Sequence, residues 1–176
     1  YYFESGAFPR KPTVVYDRLG SSFTTLTIKE INPSIYYSTK VFHVSGISLA
    51  LSDNVRQTVI DMIKSFKKYG VLISLDVNYR ASLWDETTAR NVISLIFPDV
   101  DILFVSEETS RRMLQRKGTI EEIMKGYTRD YGIKIVATTE RKATSPTKHT
   151  WDSRIYNASE DKFYKEEPYE EIEVVD

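Results

Sequence analysis

Asp76, Asn78 and Arg80 set a carboxylate, an amide and a guanidinium at alternate positions where the apolar run Ile73–Val77 ends. The stretch "ISLDVNYRASLWD" (73–85) thus starts as a core strand and finishes as a polar turn. Such a trio can shape the turn itself, because short Asp and Asn side chains hydrogen-bond nearby backbone. It can also hold a ligand, because the planar fork of an arginine suits a carboxylate or a phosphate. A turn rarely needs an arginine, so Arg80 points to an anion. Asp76 and Asn78 fit either role.

The elements that would position these groups follow from hydrophobic spacing. Four apolar runs, "VFHVSG" from Val41, "VLISLDV" from Val71, "DILFVS" from Asp101 and "GIKIVATT" from Gly132, begin about 30 residues apart, the length of a strand–helix–strand unit. Between the first two, Val55, Val59, Met62, Ile63 and Phe66 recur at helical spacing up to Gly70. Ala89, Val92, Ile93 and Ile96 repeat the pattern before Pro98; Ile120, Ile123, Met124, Tyr127 and Tyr131 do so behind Thr119 and Glu122, in capping-box spacing. The strand runs are continuously apolar, which predicts a parallel sheet in an α/β fold with helices on both faces. The flanks read differently. Residues 1–18 form two short strands, "YYFE" and "TVVYDR", joined through Gly6, Pro9 and Pro12, and residues 149–176 read as an antiparallel ending rich in Tyr and Trp.

In an open α/β sheet, ligands bind at the carboxyl ends of the strands. Those ends carry Ser45 and Gly46, then Asp76, Asn78 and Arg80, then Ser106, then Thr138 and Thr139. Ser106 reads more readily as the cap of a helix opening with Glu107 and Glu108 than as a ligand group. His43 lies within a strand and reads as a hydrogen-bonded core residue; neither it nor His149 has a ligand-spaced partner. Asp99 and Asp101 stand at the opposite end of their strand from this rim.

Composition narrows the classes. The 176 residues suit one domain with a real core. A formal charge of −1 gives no electrostatic case for nucleic acid or an anionic membrane. Without cysteine there is no disulfide, thiolate metal site or cysteine nucleophile. No run approaches a membrane span and no signal pattern opens the chain, so a cytoplasmic protein is expected. P-loop and G-x-G-x-x-G motifs are both absent.

"FHVSGISLALS" (42–52), "SLDVNYRASLWD" (74–85), "DILFVSEE" (101–108) and "VVYDRLGSS" (14–22) together resemble the ribokinase-like (PfkB) carbohydrate kinases, and among them the 2-keto-3-deoxygluconate kinases. The D-x-N-x-R-x-x-L-W string at 76–84 is the most specific element. The resemblance implies a ribokinase-like fold, with a lid hairpin over residues 1–20 and an α/β core over 21–176. It implies ATP-dependent phosphorylation of a sugar-acid hydroxyl with magnesium, and pairing of two lids into a homodimer. Tyr16, Arg18 and Arg80 map onto substrate contacts, with Tyr2 near a lid tyrosine; Ser106, Thr138 and Thr139 map onto the nucleotide side, where Arg141 would meet the phosphates.

The chain departs from the family pattern in places. Thr109 stands where relatives carry a magnesium-organising glutamate, and Glu140 and Ala143 stand at glycine positions of the nucleotide turn. The family's catalytic aspartate, in a G-x-G-D segment, would fall beyond Asp176. The chain therefore reads as a central segment without N-terminal strands or catalytic base, inactive alone. A kinase for a neutral sugar such as fructose or ribose and a sugar-acid-binding module without catalysis are the competing readings; the first would have less use for Arg18 and Arg80.

Overall fold

The computed structural model describes residues 1–6, 10, 13–18, 20–145 and 148–173. Pro9 and Pro12 of the hairpin connection and Asp176 lie outside the described residues. In chain order the elements are β1 (Tyr2–Glu4), β2 (Thr13–Val15), α1 (Ile35–Ser38), β3 (Val41–Ser45), α2 (Gly46–Leu51), α3 (Asp53–Lys68), β4 (Leu72–Asp76), α4 (Glu86–Ile96), β5 (Ile102–Phe104), α5 (Glu107–Arg112), α6 (Ile120–Tyr131), β6 (Ile135–Ala143), β7 (Lys148–Asn157), β8 (Lys162–Lys165) and β9 (Tyr169–Glu173). β1 and β2 pair as a separate antiparallel hairpin, Tyr2 opposite Val15. The other strands form one sheet: β3, β4, β5 and β6 run parallel in sequence order, and antiparallel β7 is flanked on its far side by β8 and β9.

The helices begin and end where their caps place them. Asp85 accepts from the backbone N–H groups of Thr87 and Thr88, both at 2.9 Å, and opens α4. Thr119 and Glu122 close a capping box at the start of α6, which ends at Gly132 in the left-handed conformation (φ 77°). The apolar stripe of α3, Val55, Val59, Met62, Ile63 and Phe66, is buried. It packs on the sheet face formed by Val44, Ile73, Leu75, Val77, Leu103, Val105 and Val136, which together make the core.

The α/β class is as expected, but the placing of the helices differs. Among the described residues they cover one face only. The other carries Val41, His43, Leu72, Phe104 and Ile155, all exposed. The reason is topological. When parallel strands follow one another in one direction, crossovers of a single hand all fall on the same side. Local apolarity does not encode that direction. For the same reason His43 is no core residue: it is exposed on edge strand β3, with Nδ1 2.9 Å from Ser74 Oγ.

Candidate functional site

A cleft of about 910 Å³ opens at the carboxyl ends of β4, β5 and β6, with α5 along one edge. Its walls include Asp76 at the end of β4 with Asn78 and Arg80 after it, Phe104 at the end of β5 with Ser106 after it, and Thr139 and Arg141 on β6, with Trp151 on β7 closing one side.

The turn after β4 divides its three polar groups by task. Asp76 Oδ1 accepts from the backbone N–H of Asn78 at 3.1 Å. Asn78 adopts a left-handed backbone (φ 36°), which Asn tolerates better than most residues, and its amide donates to Ser45 Oγ at 3.4 Å. These two residues build the turn and tie it to β3. Arg80 is exposed on the cleft wall, and among the described residues no carboxylate pairs with its guanidinium. The turn thus presents a free fork of donors to the cleft.

After β5, Ser106 caps α5. Its Oγ accepts from the Thr109 N–H at 3.1 Å and donates to Thr109 Oγ1 at 2.8 Å, so the hydroxyl is committed to the helix. Glu107 and Arg111 pair along α5, and Arg111 also donates to the Gly118 carbonyl at 2.8 Å.

On β6 the alternation of a strand separates the two threonines. Thr139 lines the cleft. Thr138 is buried on the helix side and does not line it; its Oγ1 has no hydrogen-bond partner among the described residues. Of the two threonines expected on the nucleotide side, Thr139 is the one on the cleft wall. Arg141 lines the cleft, donates to His149 Nε2 at 3.1 Å and lies 5.5 Å from the Trp151 ring centroid.

The hairpin residues stand apart: Tyr2, Tyr16 and Arg18 do not line the cleft. Arg18 lies 3.8 Å over the Tyr16 ring, a cation–π contact, and Tyr16 also packs against Tyr1 at 5.9 Å. Sequence reasoning missed the cleft aromatics Phe104 and Trp151, which only strand register brings to the rim. The lining carries the carboxylates of Asp76, Glu107, Glu108 and Glu140 as well as the guanidinium groups of Arg80, Arg111 and Arg141; Arg80 and Arg141, which have no ion-pair partner among the described residues, are the groups that could meet an anion such as a nucleotide phosphate. Among the described residues no group of three or more His, Asp or Glu side chains could hold a metal ion. No helix among the described residues is long and apolar enough to cross a membrane.

No protein-family model matches the chain. The 2-dehydro-3-deoxygalactonokinase of Haloferax volcanii is 30% identical over 149 residues, covering 85% of this chain and 47% of that protein. The crystal structure of 2-dehydro-3-deoxygluconokinase from Thermotoga maritima matches with a TM-score of 0.90 at 29% identity, covering 99% of this chain and 54% of the other. A PfkB family carbohydrate kinase from Listeria grayi matches with a TM-score of 0.88 at 28% identity, covering 99% and 55%. The chain spans about half the length of the relatives it matches. Over that span, in sequence and in fold, the proteins it is similar to are carbohydrate kinases, the Listeria neighbour among them of the PfkB family.

Proposed function

We propose that this chain forms the substrate-binding rim of an ATP-dependent sugar kinase acting on a 2-keto-3-deoxy (2-dehydro-3-deoxy) sugar acid of the gluconate or galactonate type. The observation that carries this reading is Arg80, a guanidinium on the cleft wall after β4 that no carboxylate pairs with among the described residues. The relatives point the same way, since the Haloferax and Thermotoga proteins are named as kinases of two such acids. In this reading Arg80 binds the substrate carboxylate through charge-assisted, bidentate hydrogen bonds. Asp76 and Asn78 hold the turn that aims it. Tyr2, Tyr16 and Arg18 complete the sugar-acid side from the hairpin. Thr139 and Arg141 take the nucleotide side, with Ser106 holding α5 at its edge.

Phosphoryl transfer relies mainly on positioning and charge stabilisation, which arginines on a cleft wall can supply. Magnesium on the nucleotide would neutralise charge on the transferring group. The test is ADP release by the protein expressed from its full reading frame, supplied in turn with 2-keto-3-deoxygluconate, its galacto epimer, fructose and ribose. Turnover of either acid in preference to the neutral sugars is expected. Preference for a neutral sugar, or no ADP release with any of the four, would overturn the reading.

A further inference from the structure

We propose that His149 is a positioning residue that holds Arg141 as an uncompensated cation facing the nucleotide phosphates; the inference rests on the reading of the cleft as an ATP site. Arg141 lies opposite Trp151 across the β6–β7 ladder, and His149 opposite Ala143, so arginine and histidine are diagonal neighbours on one sheet face. A guanidinium has donors only, so the Nε2 atom 3.1 Å from it carries a lone pair. The imidazole is therefore neutral, with its proton on Nδ1.

That proton has a cost. His149 is 2% exposed, and Nδ1 finds no partner among the described residues. An orphaned buried N–H destabilises the fold, a penalty that an apolar side chain of similar size would avoid. Packing does not explain a histidine here; anchoring does. The anchor is also of an unusual kind. Arg111, Arg112, Arg116 and Arg154 all pair with carboxylates, which offset their charge. Among the described residues Arg141 has no such partner and is held by a neutral imidazole and the face of Trp151. A neutral acceptor fixes direction without cancelling charge, so the remaining N–H groups keep their full pull on an anion.

The test compares His149→Gln with His149→Asn in the protein from the full reading frame, each with and without Arg141→Ala. Glutamine offers an acceptor near the place of Nε2, whereas asparagine is too short. Loss of one charge-assisted bond predicts that Arg141→Ala raises KM for ATP about tenfold with a smaller change in kcat. His149→Asn should raise it about three- to tenfold, and His149→Gln less than about twofold. Adding His149→Asn to Arg141→Ala should change nothing further. Equal KM for the Gln and Asn variants, or an undiminished effect of Asn without Arg141, would overturn the proposal. Nitrogen-15 spectra provide an independent reading, simple to assign with two histidines in the chain. They should show His149 as the Nδ1–H tautomer, changed by Arg141→Ala; an Nε2–H tautomer would refute the anchor. If the protein releases no ADP with any sugar, the kinase reading fails, and the tautomer together with calorimetric ADP binding still judges His149.

Discussion

Arg80 and Arg141 share one cleft but are held in different ways. Arg80 leaves a turn that Asp76 and Asn78 have already closed on themselves, so its side chain is free to meet a ligand. If it binds the sugar carboxylate, Arg80→Ala should raise KM for the sugar acid by one to two orders of magnitude, about the loss of a bidentate charge-assisted pair. KM for ATP should move little. Arg80→Lys should recover only part, because an ammonium has the charge without the planar fork. Steady-state kinetics with each substrate varied separately checks this, and an unchanged KM for the sugar acid would remove Arg80 from the substrate side. Much at this scale was legible in the sequence, because Asp, Asn and Arg at alternate positions after a strand have a local meaning. Thr138 and Thr139 show the limit. Both end the same apolar run, but which of them faces the cleft depends on strand parity relative to the core.

At the scale of elements, the cleft depends on how closely α2 approaches the end of β4. A Cβ placed on Gly46 would lie 2.0 Å from the Val77 carbonyl oxygen and 3.0 Å from its carbon, and both are backbone atoms that cannot swing aside. Gly46→Ala should therefore destabilise the protein by more than about 2 kcal/mol and disturb the Asp76–Arg80 turn, well beyond an ordinary surface change. Urea unfolding reads the first effect; a wild-type midpoint would show that the two elements can separate without cost. At the opposite end of the strands, Asp101 pins three segments. Its carboxylate meets Lys67 at 3.1 Å, Lys134 at 2.9 Å and the Ile73 N–H at 2.9 Å. The strands and the longer helices were readable because period, caps and breakers act over a few residues. The short α2, the side on which the helices lie, and the arrival of Trp151 at the rim were not, because each depends on distant parts of the chain.

For the whole molecule these contacts set a pH window of stability. Burial alone would raise the Asp101 carboxyl, but Lys134, the Ile73 N–H and Lys67 outweigh it and hold the group below the usual carboxylate range. Hydrogen bonds from Thr88 lower Asp85, and Arg116 lowers Asp130. A carboxyl depressed in the folded state contributes stability that is present above its unfolded value, near pH 4, and lost as pH falls through the folded one. Asp101→Asn should thus cost about 1–3 kcal/mol near neutrality, with the gap to wild type closing in acid. A gap that persisted at low pH would show that Asp101 acts by packing rather than by charge.

The alkaline edge has a different origin. Tyr127 is fully buried beneath Phe97, its hydroxyl 3.0 Å from Ser110 Oγ, and burial pushes its ionisation up to about 12. A raised folded value gives stability that is intact below the unfolded one, near pH 10, and falls as pH rises toward about 12. The two-unit difference corresponds to about 2–3 kcal/mol lost across that interval. Tyr127→Phe cannot ionise. Near neutrality it should be about 1 kcal/mol less stable than wild type, because Ser110 loses its partner. Above about pH 11 the order should reverse, since only the tyrosine must stay protonated to remain folded. Denaturant midpoints of the two proteins across that range decide it. A constant difference would mean that water reaches the Tyr127 hydroxyl, and that the contact between α5 and α6 is looser than its burial implies.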